Sequence, residues 1–188
     1  MKTLILFVGL LGAPLLLSAP AQSQSTNLTK APITWPTIGK HTEEYEPIVG
    51  AVQYLLRGRG FYKSKIDGIY GSKTVVAVKA FQKSRGLKAD GVLGPKTLPL
   101  LVTTVKRGSR GDAVRAAQLL ARGATGHEGQ QPYATLETDG VFGIQTEKAV
   151  RWAQETQNQF EDSLKVDGVM GPRTWCLLLG GKVVGSQM

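Results

Sequence analysis

Apolar positions recur along this chain in two parallel sets. Val49, Val52, Gln53 and Leu56 fall at i, i+3, i+4 and i+7, and Val114, Ala117, Gln118 and Ala121 keep the same spacing, with Leu119 and Leu120 adding bulk. That period predicts a helix with one apolar face. A second helix follows in each set, where Thr74, Ala77, Val78, Phe81 and Gln82 are matched position for position by Thr146, Ala149, Val150, Ala153 and Gln154. A short third helix pairs Thr97-Leu98-Pro99-Leu100-Leu101 with Thr174-Trp175-Cys176-Leu177-Leu178. The pattern predicts an all-α fold of two tandem three-helix modules, residues 35–102 and 103–181, with 182–188 as a C-terminal tail.

Between the helices stands an octet that occurs four times. The copies are Asp67-Gly68-Ile69-Tyr70-Gly71-Ser72-Lys73-Thr74, Asp90-Gly91-Val92-Leu93-Gly94-Pro95-Lys96-Thr97, Asp139-Gly140-Val141-Phe142-Gly143-Ile144-Gln145-Thr146 and Asp167-Gly168-Val169-Met170-Gly171-Pro172-Arg173-Thr174. Asp followed by Gly predicts an Asx-turn in which Gly takes a positive φ. The apolar pair is expected to enter the core, the second Gly to sit near a helix N-cap, and Pro95 and Pro172 to suit position N1. The Asp, Gly and Thr positions are read as turn-building, not as chemistry. Lys83, Arg85 and Gly86 predict the end of the second helix, with cations in the last turn and a glycine at C′. The second set carries two insertions: Gln118 to Asp139 spans twenty-one residues against fourteen for Gln53 to Asp67, and Gln154 to Asp167 spans thirteen against eight for Gln82 to Asp90. The first insertion makes residues 122–135 a long surface loop. Each module approaches the lower size at which one core folds unaided, so docking of one on the other is expected to help.

Residues 1–21 have the pattern of a signal peptide: Lys2, an apolar run from Leu4 to Leu17, and Ala19-Pro20-Ala21 as a small-x-small cleavage site. An uncleaved anchor is the weaker reading, because Gly12 and Pro14 interrupt a run that is short for a span. Residues 22–34 read as a flexible linker, in which Asn27-Leu28-Thr29 is a formal glycosylation sequon. Loss of Lys2 lowers the formal net charge from +9 to +8, which suits an acidic, immobile partner such as a cell wall or anionic polymer. Nucleic acid also fits the charge, but export argues against it. Cys176 is the single cysteine, in an apolar stretch, so no intrachain disulfide is possible and a buried inert thiol is expected.

The residues quoted above carry a family resemblance. The order Val-x-x-apolar-Gln, then Asp-Gly-x-aromatic-Gly-x-x-Thr-x-x-Ala-Val-x-x-apolar-Gln, then Asp-Gly-x-x-Gly-x-x-Thr resembles the peptidoglycan-binding domain of bacterial cell-wall proteins. It occurs twice, over roughly residues 35–180. Departures are Ala153, where a large apolar residue is usual; Leu98, where Trp175 stands in the second copy; and a Gly-rich lead-in that is clear at Arg107-Gly108-Ser109-Arg110-Gly111-Asp112 but degraded at 37–48. The resemblance implies small non-catalytic modules that hold proteins on murein and usually accompany a hydrolase domain.

It also frames the chemistry. With only His41 and His127, and no zinc-ligand spacing, the sequence shows no convincing catalytic set, metal site or cofactor site. Glu43, Glu44 and Glu46 read as a solvated helix approach rather than paired carboxylates. Sugar faces stack on aromatic rings and stem-peptide carboxylates suit Lys and Arg. The candidate ligand-binding residues are therefore Arg57, Tyr62, Lys73, Lys79, Gln145, Arg151 and Trp152, with Arg59 beside the first. Packing is favoured over stacking for Trp152, while Tyr70 and Phe142 are read as core. Gln53, Gln82, Gln118 and Gln154 are read as bonding turn backbone in preference to ligand. The leading expectation is a secreted, wall-associated, non-enzymatic tandem binder of peptidoglycan with no membrane contact after signal cleavage. The alternatives are a small wall hydrolase or hydrolase regulator, an electrostatic binder of anionic wall polymer, and a module reused to contact a separate wall enzyme or other protein.

Overall fold

The computed structural model describes residues 31–39, 46–126, 129–158 and 164–184. The signal peptide, most of the linker, His41, Glu43, Glu44, His127 and the last four residues of the tail lie outside these. Among the described residues the elements in chain order are β1 (Ile33–Thr34), α1 (Glu46–Gly58), α2 (Ser72–Ser84), α3 (Leu98–Leu101), α4 (Asp112–Arg122), α5 (Ile144–Asn158), α6 (Pro172–Leu178) and β2 (Lys182–Val183). The fold is all-α, built on two sets of three helices, with a single two-residue strand pair.

The helices form where the apolar period placed them. The α1 residues Val49, Val52 and Leu56 are buried, as are Val114, Ala117 and Ala121 of α4. Helix α2 ends with Gly86 at φ 67°, where Leu87 N–H bonds Gln82 O at 2.9 Å and Gly86 N–H bonds Lys83 O at 3.1 Å. These two bonds close a Schellman motif and satisfy the last carbonyls.

The most extensive helix packing joins α1 to α4, one from each module. The two run antiparallel: a Cβ on Gly50 would lie 2.7 Å from Leu119 Cδ2, and one on Gly58 would lie 3.2 Å from Asp112 Cβ. Glycine at positions eight apart puts two bare patches on one face of α1, which lets α4 approach. The apolar core is accordingly continuous across both modules, from Phe81 and Leu98 to Phe142 and Trp175. Trp175 itself donates from Nε1 to Thr103 O at 2.8 Å, tying α6 to the connector between modules.

The lead-in segments do the same work in both modules. Ile38 and Leu93 exchange backbone bonds at 2.8 and 2.9 Å, and Val105 and Met170 exchange theirs at 3.3 and 2.9 Å. Ile38 thus fills the place of Val105 although the positions of Gly108 and Gly111 hold His41 and Glu44 in the first module. Residues 31–34, expected as the end of a flexible linker, instead lie against the end of the second module. Ile33 pairs with Val183 and Thr34 with Lys182, antiparallel. Residues 182–183 of the expected tail are the other half of this pair. Two paired residues carry no detectable periodicity, so composition dominated the reading of both ends.

Two octet details differ from expectation. Only the second apolar residue of each pair is buried: Tyr70, Leu93, Phe142 and Met170 lie in the core, while Ile69 is 62% exposed. Successive residues of an extended segment point to opposite faces, so one of each pair turns outward. Pro172 occupies the first position of α6, but Pro95 lies in a turn ahead of α3, which starts at Leu98 behind Thr97.

Candidate functional site

Each octet is gripped by the glutamine of the helix before it. Gln53 Nε2 donates to Asp67 Oδ1 at 2.6 Å, Ile69 O at 3.0 Å and Thr74 Oγ1 at 3.1 Å, while its Oε1 accepts the N–H groups of Asp67 and Gly68 at 3.0 and 3.1 Å. The same carboxylate, carbonyl and hydroxyl are taken by Gln82 in the second octet, by Gln118 in the third and by Gln154 in the fourth. All four glutamines are buried, and all bond turn backbone. Each Asp also accepts the N–H two residues on, at 2.8 to 3.1 Å, which closes the Asx-turn. Gly68, Gly91, Gly140 and Gly168 hold φ between 71° and 80°.

These donors act on charge. Gln53 and the Ile69 N–H hold the Asp67 carboxyl below the ordinary range, and Lys73 adds to the effect. The Val92 N–H and Gln82 do so for Asp90, and the Val141 N–H and Gln118 for Asp139. A carboxylate spent on its own turn is not a general acid.

The clasp fixes where the following helix begins, and at that junction the two modules each present a groove. In the first module it lies between Phe61–Ser64 and the start of α2, about 310 Å³, and includes Lys63, Ser72, Lys73 and Val76. In the second it lies between the 132–137 stretch and the start of α5, about 600 Å³, and includes Tyr133, Glu137, Asp139, Ile144 and Gln145. Lys73 and Gln145 hold the same octet position, and both are exposed. The wider second groove follows from the insertion between Gln118 and Asp139, whose end supplies its outer wall.

The other candidates are placed elsewhere. Arg57 makes a bidentate pair with Asp112, Nε to Oδ2 and Nη2 to Oδ1, both at 2.8 Å, and lies over the Tyr54 ring. It pins α1 to α4 and is corrected from a ligand contact to a link between modules. Its neighbour Arg59 donates to Leu101 O and Val102 O, capping α3. Tyr62, expected as an exposed ring, is 2% exposed, with its hydroxyl donating to Lys65 O, although it is among the residues lining the first groove. The stem of Lys79 lies over Gly91, where an added Cβ would come within 3.1 Å of Lys79 Cε. Arg151 does the same over Gly168 and donates to Val166 O at 2.8 Å and Glu147 Oε1 at 3.4 Å. Arg115, which the sequence reading missed, covers Gly140 and donates to Asp139 O at 2.9 Å. The signal was legible: Lys79, Arg115 and Arg151 each stand three residues before the clasping glutamine. Trp152 packs against Gly126, within 2.7 Å of the place a Cβ would occupy, and its Nε1 is buried without a partner. The ring is half-buried against the 122–135 loop rather than set in the core beside Ala153.

Burial pushes the Cys176 thiol up to about 11, and it lies beside Thr34 O and Gly181. Among the described residues no three His, Cys, Asp or Glu side chains are grouped to hold a metal, and no helix is long and apolar enough to cross a membrane.

Two sets of three helices with clasped Asp-Gly octets define a class of small helical modules. The chain belongs to the peptidoglycan binding domain family, whose model matches residues 45–101 and 110–178. Among curated relatives it is similar to a probable N-acetylmuramoyl-L-alanine amidase of Bacillus licheniformis, 28% identical over 182 residues, covering 86% of this chain and 48% of the relative. It also resembles a spore cortex-lytic enzyme of Bacillus cereus, 42% identical over 55 residues, which are 29% of this chain and 21% of that enzyme. A third is the N-acetylmuramoyl-L-alanine amidase CwlM of Mycobacterium tuberculosis, 37% identical over 78 residues, 40% of this chain and 19% of the relative. The chain therefore spans about half the length of the first relative and about a fifth of the other two. No solved structure matches it.

Proposed function

We propose that this is an exported, wall-associated protein that binds peptidoglycan without cleaving it, through modules 35–102 and 103–181 acting as one body. The observation that carries the reading is the pair of grooves at equivalent places in two family segments, with Lys73 and Gln145 at the same octet position. Lys73 suits a stem-peptide carboxylate, Gln145 an amide or hydroxyl, and the half-exposed Tyr133 a sugar face. Both family segments are binding domains, and the clasped aspartates are committed to their turns, which supports binding over catalysis. Two sites on a rigid pair raise avidity when one strand reaches both. The test is sedimentation of the chain without residues 1–21 together with purified insoluble sacculi. Most of the protein is expected in the pellet at moderate salt, and protein wholly in the supernatant overturns the proposal.

The names of the relatives favour one second reading, a wall hydrolase or a regulator of one. Incubation of the same sacculi with excess protein separates the two. Binding alone releases no soluble muropeptides, whereas cleavage does.

A further inference from the structure

The two grooves carry opposite charge. Among the described residues, the first is lined by Lys63 and Lys73 and by no carboxylate, and the second by Glu137 and Asp139 and by no cation. The second is a local inversion on a chain of formal net charge +9. Lys63, Lys73 and Glu137 are exposed and form no ion pair among the described residues. Asp139 is held ionised by the Val141 N–H and Gln118, both on Oδ1, with the Arg115 charge adding to the effect, and among the described residues Oδ2 has no donor. Asp139 has its counterpart in Asp67, so the charge difference rests on Glu137, in the stretch lengthened only in the second module, and on Gln145, which replaces the lysine of the first.

Resting on the peptidoglycan reading, we infer that the modules recognise oppositely charged groups of the stem peptide. The second groove takes the free side-chain amine of the diamino acid, between Glu137 and Asp139 with Tyr133 and Ile144 as apolar wall. The first takes a peptide carboxylate on Lys63 and Lys73. A stem peptide that is not cross-linked carries both charges; a cross-link joins the amine of one stem to a carboxyl of another as an amide, so the first stem loses its cation and the second a carboxylate. The second module is thereby selective for stems whose amine is free, and the first is indifferent to the state of the amine.

The test is calorimetric titration of the chain without residues 1–21 with a disaccharide-peptide fragment bearing a free side-chain amine, and with the same fragment N-acetylated at that amine. Acetylation is expected to weaken binding about fivefold, the scale of one exposed ion pair. Glu137→Gln should weaken binding of the free-amine fragment by a similar factor and abolish the difference between the two fragments. Lys63→Ala with Lys73→Ala should weaken both fragments equally. An unchanged thermal midpoint in these surface variants separates lost contact from lost fold. Equal binding of the two fragments by the parent chain, or a preference that survives Glu137→Gln, overturns the inference while leaving peptidoglycan binding intact. Failure of both fragments to bind while sacculi still sediment the protein overturns it as well; failure of fragments and sacculi together overturns the underlying reading.

Discussion

Gln53 holds Asp67 at both ends: Nε2 donates to the carboxylate at 2.6 Å, and Oε1 accepts the Asp67 N–H at 3.0 Å. One buried side chain thereby fixes a turn fourteen residues away and sets the start of the next helix. The arrangement recurs in all four octets, so the fold is a chain of four such grips. Removing one should be expensive. In Gln118→Met the shape is kept, but the buried Gly140 N–H loses its partner and Asp139 loses a donor. The expected cost is about 3 kcal/mol, since each stranded buried group costs about 1–3 kcal/mol. Urea unfolding measures it, and a loss under about 1 kcal/mol contradicts the role given to the glutamine.

Acid should loosen the same grips. The Asp67, Asp90 and Asp139 carboxyls are held below their ordinary range by N–H donors, and Asp112 by Arg57. With folded values depressed, the unfolded chain binds more protons, so this stability is complete above the unfolded value of about 3.9 and is lost as pH falls through the folded values. The urea midpoint is expected to be level from neutral pH down to about pH 5 and to drop below about pH 4. A midpoint unchanged between about pH 4 and pH 2.5 is the contrary result.

The contact between α1 and α4 depends on what Gly50 lacks. A Cβ there meets Leu119 Cδ2 at 2.7 Å, so Gly50→Val is expected to destabilise by about 2 kcal/mol through overpacking. Leu119→Ala in the same chain should recover part of that loss. Additive losses in the double variant, measured by thermal unfolding, would show that the two residues do not touch.

Much of this was legible in the sequence, and the misses have a common cause. Helix positions, buried glutamines and the octet turns follow from spacings within about thirty residues. Arg57 looked free because Asp112 is fifty-five residues away, and β1 with β2 joins the two ends of the fold. Tyr62 was misplaced for a related reason. An aromatic beside Gly60 and Lys63 reads as exposed until the Lys65 carbonyl that satisfies its hydroxyl is in place. The grooves were half visible. Lys73 and Gln145 stood out as the variable octet position, but the wall containing Tyr133 and Glu137 belongs to the stretch between Gln118 and Asp139, whose twenty-one residues against fourteen in the first module hid the match with Phe61–Ser64.

Cys176 should be chemically silent in the native protein. Its thiol is buried against Thr34 O, and burial pushes it up to about 11. A thiol reagent at mildly alkaline pH is expected to label it only after denaturant is added. Rapid labelling of the folded chain would mean that the β1–β2 end opens readily.

Binding isotherms on purified sacculi, for the parent chain and for a Lys73→Ala/Gln145→Ala variant, test the central claim most directly. The parent should saturate, and the variant should bind about tenfold more weakly, the effect of roughly 1.4 kcal/mol, with its thermal midpoint unchanged. Equal affinity of the two would place the wall contact outside the paired grooves and contradict the account.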